Sequence, residues 1–226
     1  MNLTYYGHSC FAVKTMGKTL LFDPFITPNE LASSIDIKTI RPDAILVSHG
    51  HVDHLADALA LAEASGAPII SNWEIIDWFG KKGIENGHPM NLGGCWQFPF
   101  GTVKYTIAHH SSGLPDGSYG GNPGGFVLQN PEGAFYYSGD TALTLDMKLI
   151  GEEFDLSFAI LPVGDNFTMG PGDAARAAEF VQVEKVVGVH YDTFPYIKID
   201  HAEARAAFAA RKKTLLLPGI GETIEL

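Results

Sequence analysis

The sequence predicts an α/β fold in which a two-sheet core is covered by helices. Short β-rich runs recur in both halves of the chain with helical segments between them, the pattern that layered α/β domains produce. Glycine supplies 25 of the 226 residues, above the ordinary ~7%, so tight turns are favoured over long helices. At 46% hydrophobic and 18% charged, the composition is that of a globular protein, read as one domain over residues 1–226.

The amino end reads as a β-meander: Leu3 to Tyr6, Cys10 to Lys14 and Thr19 to Phe22, the last stopping at Asp23-Pro24. Pro42 precedes Ala44-Ile45-Leu46-Val47, a short buried strand, and Ser48-His49-Gly50-His51-Val52-Asp53-His54 follows it. Leu55, Leu59 and Ala62 then recur at helical spacing until Gly66-Ala67-Pro68 stops the helix. A strand over Pro68 to Ser71 and a helix over Glu74 to Lys82 lead into a turn region, Gly83 to Gly94. Further strands are expected at Cys95 to Phe98, Val103 to Ala108, Phe126 to Gln129, Ala134 to Ser138, Phe158 to Leu161 and Val186 to Val189. Late helices are expected over Asp173 to Val181 and His201 to Lys213, the second opened by Asp200 and Glu203 and closed by Arg211-Lys212-Lys213. Thr214 to Leu217 and Thr223 to Leu226 are candidate closing strands.

Composition narrows the function. Fifteen basic against 26 acidic residues give a net charge of −11 with no Lys/Arg cluster, so nucleic acid is not an expected partner. The longest apolar runs fall far short of the ~18 residues that span a bilayer, and the amino end lacks the basic and apolar regions of an export signal, which predicts a cytoplasmic location. Cys10 and Cys95 show no CxxC spacing and read as buried thiols. A homo-oligomer is compatible with this composition.

The chemistry concentrates in His49-x-His51-x-Asp53-His54, four metal-capable side chains within six residues. An extended segment around Gly50 can aim His49 and His51 at one point while Asp53 and His54 project from the following turn toward a second. The alternative, solvated polar residues capping a helix start, does not explain four metal-capable side chains together. Other strand ends supply partners: His109-His110, Asp140 and His190. Strand parity turns His109 and His110 to opposite faces without choosing between them.

These elements resemble the metallo-β-lactamase superfamily, whose H-x-H-x-D-H motif stands here as His49 to His54 with the later His, Asp and His in the same order. A fuller resemblance is to a bacterial branch of metal-dependent hydrolases related to ascorbate 6-phosphate lactonase. It rests on Gly7-His8-Ser9, Phe22-Asp23-Pro24, His110-Ser111-Ser112, Ser138-Gly139-Asp140-Thr141 and Pro162 to Gly170. The resemblance implies a four-layer αββα sandwich of two mixed sheets flanked by helices. It implies that His49, His51 and His110 hold one metal, that Asp53, His54 and His190 hold the other, and that Asp140 bridges them. It also favours His110 over His109.

The expected activity is hydrolysis of a small ester, lactone or phosphoester by a metal-bridging hydroxide, since bound cations lower the pKa of water from ~15.7 toward ~7. Two divalent cations, two carboxylates and a hydroxide leave the site at about +1, so a small anionic substrate is also compatible. Nitrogen and oxygen donors suit Zn first, with Mn, Fe, Ni and Co also compatible. A mononuclear iron oxygenase on the same scaffold, a nuclease and a non-enzymatic metal-binding protein are the competing readings.

Further positions carry weaker signals. Asp23 is a candidate to fix the tautomer of a ligand histidine or a simple turn residue. His8 is a candidate substrate binder or proton donor, or a structural histidine. Asp165, with Asn166, is expected to line the pocket or to cap local backbone. Residues 111–125, with six glycines and two prolines, suggest a mobile loop over the pocket. His88 and His201 have no ligand-like neighbours, and Tyr191 and Phe194 to Tyr196 are candidates for an apolar wall, though aromatic residues after a strand more often pack.

Overall fold

Two seven-stranded sheets pack face to face in the computed structural model, which describes residues 1–226. The first sheet contains β1 (Asn2–Gly7), β2 (Cys10–Thr15), β3 (Lys18–Phe22), β4 (Ala44–Leu46), β5 (Ile69–Asn72) and β6 (His88–Met90). The second contains β7 (Cys95–Phe98), β8 (Gly101–Ile107), β9 (Gly124–Asn130), β10 (Gly133–Tyr137), β11 (Phe158–Pro162), β12 (Lys185–Val189) and β13 (Thr214–Leu216). The last strand, β14 (Thr223–Glu225), returns to pair with β1. Spatial order is β14-β1-β2-β3-β4-β5-β6 in one sheet and β13-β12-β11-β10-β9-β8-β7 in the other. Each sheet is mixed: β14 through β3 and β7 through β10 pair antiparallel, whereas β3 through β6 and β10 through β13 pair parallel.

Side-chain alternation dictates the layers. Leu20, Phe22, Ala44, Leu46 and Ile70 join one hydrophobic cluster, while Leu21, Ile45, Val47 and Ile69 join another. Successive strand residues face opposite sides, so β3, β4 and β5 are buried on both faces and need a layer on each. Between the sheets Phe22 lies 5.9 Å from Phe135 and 5.8 Å from Tyr137, ring centre to ring centre, in edge-on contacts. Burying a side chain of this size contributes roughly 1.5–3 kcal/mol. The outer face of the first sheet is covered by α1 (Val52–Leu55), α2 (Ala58–Ser65) and α3 (Trp73–Gly80) through Leu55, Leu61, Ile75 and Phe79. On the second sheet lie α4 (Asp146–Glu153), α5 (Pro171–Phe180) and α6 (His201–Ala209), where the buried alanines 174, 175, 177 and 178 of α5 let it pack closely. The result is the expected αββα sandwich.

Several local expectations are corrected. The turn region Gly83 to Gly94 contains β6, an edge strand that tolerates Pro89 because its ladder is open on one side. Helix α4 had no sequence signal strong enough to read. The helix through Leu55 and Ala62 is broken into two because Asp57 turns inward to accept hydrogen bonds from Ile26 and Thr27 backbone N–H at 2.6 and 2.8 Å. Helix α6 ends at Ala209 rather than Lys213, with Lys212 at φ +58° just beyond it. Cys10 is buried, but Cys95 is exposed on edge strand β7. Residues 111–125 are not all loop: Gly124 and Gly125 begin β9, Gly113 bridges Tyr119, and Gly120 O accepts from Ser112 Oγ at 2.8 Å and Asn72 Nδ2 at 2.7 Å. No helix is long and apolar enough to cross a membrane.

Candidate metal centre

The carboxyl ends of β3, β4, β10 and β12 bring Asp23, the His49–His54 loop, Asp140 and His190 together at one edge of the sandwich. An apolar strand that ends abruptly leaves the next residue at the rim of the core, so a polar side chain there faces inward between the sheets. Gly139 makes the approach of Asp140 feasible: it sits at φ +61°, and a Cβ at that position would collide with the carbonyl oxygen of Gly124.

Two groups of donors converge. In the first, His49, His51 and His110 have ring nitrogens within 4.8 Å of one another, and His49 Nε2 stands 3.0 Å from His51 Nδ1. In the second, Asp53, His54 and His190 gather with His8 inside the same limit. Asp140 Oδ2 lies 3.0 Å from His190 Nε2, 3.2 Å from His54 Nε2 and 3.7 Å from His110 Nε2, so one carboxylate touches both groups. His109 faces away, exposed, and pairs with Asp146 at 3.1 Å. His88 packs on Trp96 and Phe98, and His201 pairs with Asp192, both outside the cluster.

Electrostatics suit cations rather than protons. Burial pushes His49 well below the ordinary imidazole value, and burial likewise lowers His51 and His110. For Asp140 burial opposes ionisation, but His190 and His54 outweigh it and hold the carboxyl well below the usual carboxylate range. His54 is the exception, driven up despite burial by Asp140 and Asp23. Buried His54 Nε2 and Asp140 Oδ1 have no hydrogen-bond partner, although buried polar atoms are ordinarily satisfied. Donors on one tetrahedral ion with bonds of ~2.0–2.1 Å stand about 3.3 Å apart, close to the separations seen here. The donor set therefore fits divalent cations.

Hydrogen bonds behind the donors orient them. Asp23, fully buried, accepts from His54 Nδ1 at 2.7 Å, from Ser48 N at 2.7 Å, and from Ser48 Oγ and Tyr137 OH at 2.5 Å each. With its proton on Asp23, Ser48 Oγ can only accept from His49 Nδ1, 3.0 Å away. One carboxylate thus leaves the Nε2 lone pairs of both His49 and His54 free. His8, 1% exposed, sits between Asp53 Oδ2 at 3.2 Å and Thr193 Oγ1 at 3.0 Å. Burial, then His190, lowers His8 to about 4, so it is neutral and donates to Asp53.

Residues 18–191 match the family model of the beta-lactamase superfamily domain. The chain belongs to the beta-lactamase superfamily. Across the superfamily it is 50% identical over 226 residues, the full length of both chains, to a UPF0173 metal-dependent hydrolase of Flavobacterium johnsoniae. Igni18, a metallo hydrolase of the archaeon Ignicoccus hospitalis, superposes with a TM-score of 0.89 at 33% identity, over 99% of this chain and 97% of that one. CmlA, a diiron β-hydroxylase of Streptomyces venezuelae, shares the fold at 13% identity and a TM-score of 0.76, over 100% of this chain and 54% of its own.

In this beta-lactamase superfamily chain the donors open onto a cavity of about 260 Å³ lined by His51, Asp53, His110, Ser111, Asp140, Phe167, His190 and Phe194. Asp165 is not among them. It is exposed, and its carboxylate caps the Asn166 N–H at 2.8 Å. Sequence reading missed Ser48, Tyr137 and Thr193 as anchors and Phe167 in the lining; Phe194, weighed as wall or packing, both lines the cavity and packs on His8 and Phe25. Ser48 carried a signal, a polar residue between a buried strand and the first histidine. Tyr137 carried none, because its partner Asp23 is 114 positions away.

Proposed function

We propose that this chain is a metal-dependent hydrolase holding two divalent cations, zinc by first choice. One would sit on His49, His51 and His110, the other on Asp53, His54 and His190, with Asp140 shared. The contact of Asp140 Oδ2 with histidines of both groups at 3.0–3.7 Å carries this reading. When bound, such cations supply Lewis acidity toward a scissile carbonyl or phosphoryl oxygen and acidify water from a pKa of ~15.7 toward ~7.

The chain's own residues do the positioning. Asp23 and Ser48 fix the tautomers of His54 and His49. His8 holds Asp53 by donating Nε2–H to its Oδ2, and Thr193 holds the other face of that ring. Asp165 contributes through the turn it caps. A cavity of 260 Å³ suits a small ester, lactone or phosphoester.

Protein loaded with zinc and, separately, with manganese or iron, assayed on a panel of esters, lactones, phosphoesters and phosphodiesters, tests the reading. Turnover that disappears in Asp140→Ala, with the variant still folded by circular dichroism, is expected. A single tightly held iron with oxygen consumption and no hydrolysis would overturn it in favour of an oxygenase.

A further inference from the structure

The cavity beside the donors has walls of two chemistries. Donor residues line it together with two aromatic rings, Phe167 and Phe194. No lysine or arginine lines it.

Phe167 is held there by an unusual turn. The two residues before it, Asp165 and Asn166, adopt φ +61° and +52°, a region that non-glycine residues seldom occupy. Asp165 N–H donates to Met169 O and Met169 N–H donates to Thr141 O, both at 3.1 Å, tying the turn to the segment carrying Asp140. For this outlay of backbone strain the ring is left 52% exposed, edge-on to Tyr196 at 6.4 Å, which is itself 75% exposed. Strain of this kind gathers at ligand sites, and here it presents an apolar ring to the cavity beside the donors. Phe194 is braced from behind by edge-on contact with His8 at 5.3 Å and by Phe25 at 6.3 Å.

We propose that Phe167 and Phe194 are the recognition wall for an uncharged carboxylic ester or lactone carrying a compact aryl group. The proposal rests on the hydrolase reading above and narrows its substrate class. A phosphate monoester would have only the proposed cations to meet its anionic oxygens, since no arginine or lysine lines the cavity to hold the rest, in a chain of net charge −11. An aryl ring instead has two phenyl rings in the lining to pack against, in a space just under the usual ligand-pocket volumes of about 300–1,000 Å³. In the reaction, the oxygen of water bonds to the acyl carbon and the ester C–O bond breaks. The leaving oxygen takes one proton and the new carboxylate releases the other.

Two measurements test this. In the first, metal-free protein is titrated by ligand-observed NMR with acetanilide, a neutral aryl amide, and with phenyl phosphate. Acetanilide is expected to bind about tenfold more tightly, and to lose about that factor in Phe167→Ala and Phe194→Ala but not in Phe167→Tyr. Equal binding of phenyl phosphate, or alanine variants that bind like the parent, would overturn the wall. In the second, zinc-loaded protein is given phenyl acetate, methyl acetate and 4-nitrophenyl phosphate. Phe167→Ala should lower kcat/KM for phenyl acetate about tenfold more than for methyl acetate, so the ratio between the two esters is the readout. Faster turnover of the phosphate would remove the wall and keep the hydrolase. Phe-dependent acetanilide binding with no turnover of anything would keep the wall and remove the hydrolase.

Discussion

Asp23 and His54 share a 2.7 Å hydrogen bond in which neither side chain has any exposed surface. Asp23 comes from the end of β3 and His54 from α1, so the contact joins a strand terminus to the loop that carries most of the donors. The same carboxylate reaches His49 through Ser48, and both candidate metal positions therefore depend on it.

Asp23→Asn is expected to weaken metal affinity by about 10–100-fold, the usual effect of removing the carboxylate behind a ligand histidine. Competition with a chelator of known affinity measures it. Unchanged affinity would mean that His54 is oriented by packing alone.

Tyr137→Phe keeps the ring that packs edge-on against Phe11 at 5.0 Å and removes only the hydroxyl that donates to Asp23. A hydrogen bond to a charged group contributes about 1.5–3 kcal/mol, and urea unfolding of the variant should show a loss of that size.

His109→Ala and His110→Ala separate two neighbours that sequence alone treats alike. His109 is exposed and pairs with Asp146, so its loss should change turnover by no more than about twofold, as surface substitutions do. His110 lies 5.1 Å, ring to ring, from both His49 and His51, and its loss should abolish turnover in a chain that still folds.

The pH dependence of stability follows from His8. Its folded value is lowered from 6.5 to about 4 by burial first and by His190 second. Between those values the unfolded chain holds a proton that the folded chain refuses, so stability falls as pH drops from 6.5 toward 4. Metal-free protein should lose more Tm between pH 7 and pH 4.5 than its His8→Gln variant, whose side chain cannot titrate; equal losses would count against this origin.

Gly139→Ala would place a methyl against Gly124 O in a left-handed backbone. A loss of about 1–3 kcal/mol is expected, together with weaker metal binding because Asp140 is the next residue. Thermal unfolding with and without zinc reports both.

Much of this was legible in the sequence because burial and polarity change abruptly at strand ends. The apolar run Ala44 to Val47 announces a strand, and the histidines after it have no role in a core. The resemblance then supplied what spacing could not, the choice of His110 over His109, because parity says only that the two diverge. What stayed hidden was long-range or weakly patterned. Helix α4 buries only Met147 and Ile150 and contains Gly151, too little periodicity to stand out. Strand β6 is three residues long with a proline at its centre. For Phe194 the sequence left wall and packing both open, because an aromatic residue after a strand serves either, and only the assembled cavity shows it doing both.

Six of the nine non-glycine residues with positive φ, His8, Asp23, Asp165, Asn166, His190 and Asp192, lie in or beside the candidate centre. This has a practical consequence for anyone seeking a hardier protein. Glycine substitution would relax the backbone at each of these positions, so a screen for heat resistance alone would be drawn to the exposed ones, Asp165 and Asn166, whose turn carries Phe167. At His8, Asp23 and His190, all buried, glycine would also remove the hydrogen bonds and packing of a donor or its anchor, a loss that outweighs the relaxation and takes metal retention with it. Selection for durability should therefore be run with chelator challenge as a second criterion, and its gains sought on the far edge of the sandwich.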